Sequence, residues 1–305
     1  QPGIWMPPVK ELHYFDEKAT LRRAGFVWRV LGKSDPDLRW RRQLRDRGRV
    51  RRRAGRWPTK WEFRYFLGRP SDDWYLNLFE PGKGRIGGEV TPSYMTLPAA
   101  DVKRVHRLLP EARIILFVRN PIERAWSGAV LETRDLPPAE AADKLPAVLA
   151  SPGSRLRTDY LGALDRWATF YAPDRIYVGF REDLARRPES LLSGVCEFLG
   201  VGSASVFQRA DRVVHRGTVS TMPAAVAGRL AAMYAPLAGE MARRFGGYAD
   251  FWAFCAQRLQ QGADEAAEVP FPLAGTRLWE EWLAEGGRPP EVIQSGTLER
   301  VGRFS

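Results

Sequence analysis

The stretch from Ala112 to Arg134 constrains the fold more than any other, because a short apolar run leads directly into a helix start. Residues 114–118, IILFV, are uninterrupted apolar residues rich in β-branched and aromatic side chains. Such a run predicts a strand buried on both faces of a parallel sheet. Asn120 is a good N-cap and Pro121 suits the first helical position. The stretch therefore predicts an α/β fold in which this strand feeds a helix.

Three polar side chains follow this strand and predict an anion site. Arg119 leaves the carboxyl end of the strand, where open α/β sheets bind ligands. Arg124 and Ser127 follow on neighbouring turns of the helix. Two guanidinium groups, a hydroxyl and the positive end of a helix dipole suit phosphate or sulfate. The alternative is that the arginines are surface residues flanking an ordinary core strand.

Composition favours acidic partners. The chain has 305 residues and a formal net charge of +11, with a pI near 10.0. This balance suits nucleotides, anionic glycans, nucleic acid or anionic lipid, and we expect no sequence-specific nucleic-acid partner. Two cysteines are too few for a disulfide framework, which predicts a reducing compartment and hence the cytoplasm. No apolar run is long enough to predict a transmembrane segment.

The first sixteen residues end in a cluster of titratable side chains. Lys10, Glu11, His13 and Asp16 follow a proline-rich stretch that predicts extended backbone. In an extended segment Glu11 and His13 point to the same side, and such a pair can move a proton. The alternative is a loop with a satisfied histidine and solvated charges.

A basic insertion follows at about residues 20–60. It holds ten arginines between Arg39 and Arg56, interrupted by a few apolar residues. A run of this kind is either a solvated helix face or mobile lid, or a surface that grips an anionic acceptor. Both interpretations stay open from the sequence.

Two motifs resemble those of sulfotransferases that use 3′-phosphoadenosine 5′-phosphosulfate (PAPS). RNPIERAWS is similar to their 3′-phosphate-binding motif, and the matching residues are Arg119 and Ser127. PPVKELHYFD resembles the K-E-x-H-F-F-D segment of the heparan-sulfate branch. The resemblance implies that Glu11 is the base that deprotonates the acceptor, with His13 and Asp16 supporting it and Lys10 beside it.

Further segments follow the order of that family. GEVTPSY is similar to its G-E-x-T-P-x-Y stretch, and we place Glu89 and Tyr94 at the acceptor cleft. RADRVVHRG matches a basic loop over the donor phosphates, which carries that role to Arg216 and Gly217. The resemblance also implies a strand and a Lys/Gly/Thr-rich phosphosulfate turn upstream of Gln1.

The sequence thus predicts one sulfotransferase domain over residues 1–260, with a parallel sheet flanked by helices like that of P-loop kinases. Residues 261–305 form a Pro/Gly-rich extension, and the final long helical region is expected to break near Pro236. By resemblance, PAPS is the co-substrate, no metal is needed, and the acceptor is an anionic glycan or a small metabolite. The alternatives are a nucleotide or sugar kinase of the same fold, and a non-catalytic basic binder of glycan or nucleic acid.

Overall fold

The computed structural model describes residues 3–16, 26–202, 221–262 and 267–302. Two compact units divide the chain, the first ending at Pro110 and the second beginning at Glu111. The predicted domain limits at residues 20–60 and 260 stay predictions.

The first unit is mainly helical around one short strand pair. Strand β1 (Ile4–Trp5) runs parallel to β2 (Ile86–Gly87), with Ile4 opposite Ile86. Its helices are α1 (Phe26–Leu31), α2 (Asp35–Arg53), α3 (Lys60–Leu67), α4 (Asp72–Asn77) and α5 (Ala99–Leu108). Packed aromatic rings form part of its core. One example is Tyr14, which stacks on Tyr75 with 4.6 Å between ring centroids.

The arginine-rich run is the long helix α2. A capping box at Ser34 and Asp37 starts the helix, since each side chain bonds the backbone N–H of the other. Arg47 and Arg51 of this helix approach the buried carboxylate of Glu62 on α3, at 3.0 and 3.6 Å. The run is therefore an ordered helix whose inner arginines are tied to the next helix.

The second unit contains a three-stranded sheet. Strand β3 (Ile114–Val118) pairs in parallel with β4 (Ile176–Phe180). Its helices and remaining strands are α6 (Pro121–Thr133), α7 (Pro138–Ala150), α8 (Pro152–Leu156), α9 (Tyr160–Ala168), α10 (Arg181–Arg186), α11 (Pro188–Leu199), β5 (Thr221–Pro223), α12 (Ala224–Phe245), α13 (Tyr248–Gln261), β6 (Glu268–Pro270), α14 (Arg277–Ala284), β7 (Gly296–Thr297) and α15 (Leu298–Val301). Strand β7 is antiparallel to β4, and β5 pairs with β6. The α/β class is confirmed.

The strand-to-helix step is also confirmed, with one correction. Asn120 caps α6 by accepting from the N–H of Ile122, and Pro121 opens the helix. Burial of β3 on both faces is wrong, because Ile115 and Phe117 are 36% and 45% exposed. These residues share one face by the two-residue period of a strand. An apolar run cannot show whether a second layer covers that face.

The long helix α12 corrects a second expectation. It runs unbroken from Ala224 to Phe245 with Pro236 inside it. The preceding apolar stripe holds the helix through the proline, since Val226, Leu230 and Tyr234 are all buried. Packing of this stripe outweighs the local cost of a missing backbone donor.

The C-terminal residues 267–302 contribute to the second unit. The N–H of Leu273 donates to the buried carboxylate of Glu123 at 2.6 Å. Ser295 is fully buried and donates to Asp183 from both its N–H and its hydroxyl at 2.7 Å. Among the described helices, none is both long enough and apolar enough to cross a membrane.

Candidate active site

Glu11 and His13 are in contact, but not through the extended backbone that the sequence suggested. Both residues have positive φ, 57° and 54°, so the segment turns in the left-handed region at each of them. The turn brings Nε2 of His13 to 3.2 Å from Oε2 of Glu11. On the other side of the ring, Nδ1 lies 2.7 Å from Oδ2 of Asp16. A histidine between two carboxylates is the result.

This arrangement sets the charges of the three groups. Burial opposes the charge on His13, but the hydrogen bonds to Asp16 and Glu11 outweigh it and raise the pKa of His13 to about 9. The hydrogen bond from His13 lowers the pKa of Glu11 despite partial burial. Burial of Asp16 is likewise outweighed by the His13 bond, so the pKa of Asp16 is lowered. At neutral pH an imidazolium donates to two carboxylates, and Glu11 is ionised.

The segment from Glu89 to Tyr94 supports this turn. The hydroxyl of Ser93 donates to Asp16, and the hydroxyl of Tyr94 accepts from the N–H of Tyr14 at 2.9 Å. Glu89 accepts from the N–H of Leu12 at 3.3 Å. In the structure Glu89 and Tyr94 both accept from the backbone of the turn, and their place at the acceptor cleft stays a prediction. Sequence reasoning missed Ser93, although it lies in the same TPSY motif.

A small open pocket borders the turn. Its walls come from the turn and from α1 to α4, and are formed by Glu11, Leu12, His13, Arg29, Pro36, Asp37, Arg39, Trp40, Gln43, Tyr65 and Trp74. The Glu11 side chain keeps 47% of its surface exposed. Lys10 is exposed, and its carbonyl oxygen accepts from Gln43 of α2 at 3.2 Å. The pocket thus combines a carboxylate, cationic side chains and aromatic walls.

A second group of predicted residues lies in the other unit, at the start of α6. Nη2 of Arg119 reaches the carbonyl oxygen of Arg124 at 3.5 Å. Burial lowers the pKa of Arg124, and the positive charges of Arg119 and Arg157 lower it further. Gly128 leaves room for the Arg124 guanidinium, since a Cβ there would clash with Nη1.

Two donors, one at the cap of α6 and one midway along it, find no acceptor among the described residues. Nδ2 of Asn120 is buried without a hydrogen-bond partner among the described residues. The partly buried hydroxyl of Ser127, one turn beyond Arg124, makes no hydrogen bond within the described part of the chain either. Clustered guanidinium groups and unused donors suit an anion. Arg216 and Gly217 lie outside the described residues.

Comparison with known proteins decides the family. The model of the sulfotransferase family matches residues 22–204, which is more than half of the chain. The chain belongs to the sulfotransferase family. The match includes the strand–helix motif at Arg119 and the arginine-rich helix, and it begins after the Glu11 turn.

Curated relatives of this sulfotransferase chain include two enzymes of heparan sulfate. The chain is 24% identical over 138 residues to the bifunctional heparan sulfate N-deacetylase/N-sulfotransferase 1 of Caenorhabditis elegans. It is 29% identical over 136 residues to the human heparan sulfate glucosamine 3-O-sulfotransferase 6. Each match covers 42% of this chain, but only 16% and 39% of the respective relatives. The chain therefore matches well under half of either relative.

A solved structure supports the fold of this sulfotransferase chain. The crystal structure of a sulfotransferase from Alicyclobacillus acidocaldarius is similar with a TM-score of 0.52 and 21% identity. The likeness covers 80% of this chain and 85% of that one. The sulfotransferase α/β fold is thus confirmed over most of the chain.

Proposed function

We propose that the protein transfers a sulfuryl group from PAPS to a hydroxyl or amine of an acceptor. Glu11 takes the acceptor proton while the acceptor oxygen or nitrogen bonds to sulfur. The bond between sulfur and the 5′-phosphate oxygen breaks, and 3′-phosphoadenosine 5′-phosphate (PAP) leaves with that electron pair. The observation that carries the proposal is the ionised, half-exposed Glu11 held against His13 beside an open pocket.

The geometry favours Glu11 over His13 as the base. Both ring nitrogens of His13 face carboxylate oxygens, at 2.7 and 3.2 Å, so both donate and neither can accept a proton. The second oxygen of Glu11 makes no hydrogen bond within the described residues, and the side chain is half-exposed. The positive charge of His13 also keeps Glu11 ionised before the reaction, at some cost in basicity. Lys10 and Asp16 are proposed as supporting residues of the same turn.

The donor is proposed to bind through its 3′-phosphate at the start of α6. Arg119, Arg124 and Ser127 supply the contacts, and the unused Nδ2 of Asn120 adds a donor beside them. Arg216 and Gly217 stay proposed donor contacts. The proposed mechanism uses no metal, as the resemblance to PAPS-dependent sulfotransferases implies.

The acceptor is proposed to be a carbohydrate or another small metabolite that binds in the Glu11 pocket. Glu11 and Arg39 line this pocket, and their charged groups can bond the hydroxyls of a sugar. The names of the heparan sulfate relatives support a glycan. A cytoplasmic location stays a prediction from cysteine content.

The deciding experiment compares turnover of Glu11→Gln and His13→Ala with the parent over a range of pH. General-base catalysis typically contributes about a hundred- to ten-thousandfold, so Glu11→Gln should lose turnover on that scale. Gln keeps the size of the side chain, so PAP affinity and thermal stability should stay near parental values. The matched control is Glu80→Gln, which removes an exposed carboxylate paired with Arg64 in the same unit.

Three outcomes separate the candidate functions. A folded Glu11→Gln variant that keeps more than about a tenth of parental turnover would remove Glu11 as the base. A parent protein that binds PAP without any transfer would favour the non-catalytic binder. Transfer of phosphate from a nucleoside triphosphate in place of sulfate would favour the kinase.

A further inference from the structure

The carboxylate of Glu89 lies at the centre of a network that the proposed mechanism does not use. Its Oε1 accepts from the hydroxyls of Tyr75 at 2.7 Å and Tyr94 at 3.1 Å. Its Oε2 accepts from the hydroxyl of Thr91 at 2.7 Å and the N–H of Leu12 at 3.3 Å. Four donors occupy the four acceptor sites of an ionised carboxylate. Burial raises the pKa of Glu89, and these bonds act against that effect.

The network is anchored to the backbone of the catalytic turn at two points. Leu12 stands between the two residues with positive φ, and Tyr14 follows the second of them. Glu89 holds the N–H of Leu12 directly. It holds the N–H of Tyr14 through Tyr94, whose hydroxyl accepts from Tyr14 and donates to Glu89. One carboxylate therefore fixes the backbone on both sides of His13.

Non-glycine residues keep a left-handed backbone only where their surroundings hold it. Among the described residues, Glu11 and His13 are the non-glycine positions with positive φ. We propose that Glu89 is a positioning residue that holds this turn, so that Glu11 faces the acceptor while bonded to His13. The kinetic part of this inference rests on the proposed function, whereas its effect on the Glu11–His13 pair does not.

A glutamine at position 89 tests the network with little change in shape. Its amide nitrogen donates, so it replaces one acceptor oxygen by a donor. In one orientation the amide NH₂ group faces the Tyr94 hydroxyl, whose oxygen already accepts from the N–H of Tyr14. In the other orientation the NH₂ group faces the N–H of Leu12, so two donors face each other. Either orientation breaks one backbone anchor. A shift of about 1 Å in a catalytic group costs about a hundredfold in rate.

The first measurement follows the titration of His13 by NMR in the parent and in Glu89→Gln. The groups that face its ring are Glu11, Asp16 and Ser93, and the charge of Arg39 opposes its protonation. The parent midpoint is expected at about 9. Loss of the turn should weaken both carboxylate contacts and bring the midpoint to about 8 or lower. The chain has three histidines, so the other two serve as internal references.

Glu62→Gln is the matched control for this measurement. Glu62 is a buried carboxylate of the same unit that accepts from Thr59 and Arg47 and makes no hydrogen bond with the turn. Its loss should lower stability but leave the His13 midpoint in place. Should Glu89→Gln fail to fold, Tyr94→Phe removes the Tyr14 anchor and carries the same expectation. An unchanged His13 midpoint in the folded variant overturns the proposal, whatever its turnover.

The second measurement is a double-mutant cycle in turnover. Glu89→Gln should lower kcat about ten- to a hundredfold with unchanged PAP affinity. In a Glu11→Gln background it should add little, because a positioning residue acts through the group it positions. Fully additive losses would contradict the proposal. If the parent transfers no sulfate, the proposed function fails, and the His13 titration still decides whether Glu89 holds the pair.

Discussion

His13 shows how two neighbouring side chains determine the role of a third. Its ordinary pKa suits proton transfer near neutral pH. Two carboxylates at hydrogen-bond distance turn it into a fixed cation, which orients Glu11 and cannot act as a base. The sequence suggested both Glu11 and His13 as candidate bases, but only the structure shows that both ring nitrogens of His13 are hydrogen-bonded. We therefore predict that His13→Ala loses activity because Glu11 loses the cation that orients it. The variant does not lose a base.

The donor site leads to a prediction at single residues. Arg119→Ala should weaken PAP binding about ten- to a hundredfold, since a charge-assisted hydrogen bond contributes roughly 1.5–3 kcal/mol. Ser127→Ala should weaken it less, because a neutral hydroxyl is the weaker donor. Calorimetry with PAP measures both effects. The control is Arg134→Ala at the far end of α6, where the guanidinium is exposed. Parental PAP affinity in Arg119→Ala would contradict the site.

Within one element, helix α2, the arginines that form a single run in the sequence face different directions. Arg47 and Arg51 face inward to Glu62, and Arg39 lines the Glu11 pocket. Arg45 and Arg52 are exposed, about half a turn from the pocket side by helical periodicity. The outer members of the run form a solvated face, whereas contact of Arg39 with an anionic acceptor stays a prediction.

The different positions of these arginines predict that Arg39 is the one that binds an anionic acceptor. Arg39→Gln should raise KM for an anionic acceptor about ten- to a hundredfold, by loss of one charge-assisted contact, with little effect on a neutral acceptor. Arg45→Gln is the matched control on the outer surface and should leave KM near the parental value. The measurement is initial rates with an anionic acceptor at low and at high salt. High salt screens long-range attraction in both variants, so a difference in KM that remains there reports the direct contact of Arg39. Equal effects of the two substitutions would contradict a specific contact by Arg39.

The elements also show where sequence patterns reach their limit. The cap at Asn120 and the start of α6 follow from local chemistry, so the motif predicted both correctly. The open face of β3 and the unbroken α12 depend on packing partners that no short window contains. The left-handed turn at Glu11 and His13 contains no glycine, so the sequence gives no local signal for it. Tertiary hydrogen bonds to Glu89 and Tyr94 hold it, and these span nearly eighty residues of sequence.

On the largest scale, a buried carboxyl group links two helices of the second unit. Trp252 of α13 donates to Oε1 of Glu182 at 2.7 Å, and Oε2 is buried without a hydrogen-bond partner among the described residues. Burial and the nearby carboxylate of Glu123 raise the pKa of Glu182 to about 8, against the hydrogen bond from Trp252. Separation of α13 from α10 would expose this carboxyl group to water.

Stability should consequently fall with rising pH through this group. A carboxyl with a raised folded-state pKa binds more protons folded than unfolded, so its stabilising effect is complete below about pH 4.5 and is lost as pH rises through about 8. Glu182→Gln keeps the acceptor for Trp252 and does not titrate. The free energy of unfolding of the parent, relative to this variant, should decline between pH 5 and 9 by an amount on the order of 3 kcal/mol. The exposed Glu240→Gln on α12 is the control and should follow the parent. Denaturant unfolding at each pH measures the difference, and parallel curves for the parent and Glu182→Gln would mean that Glu182 stays ionised in the folded protein.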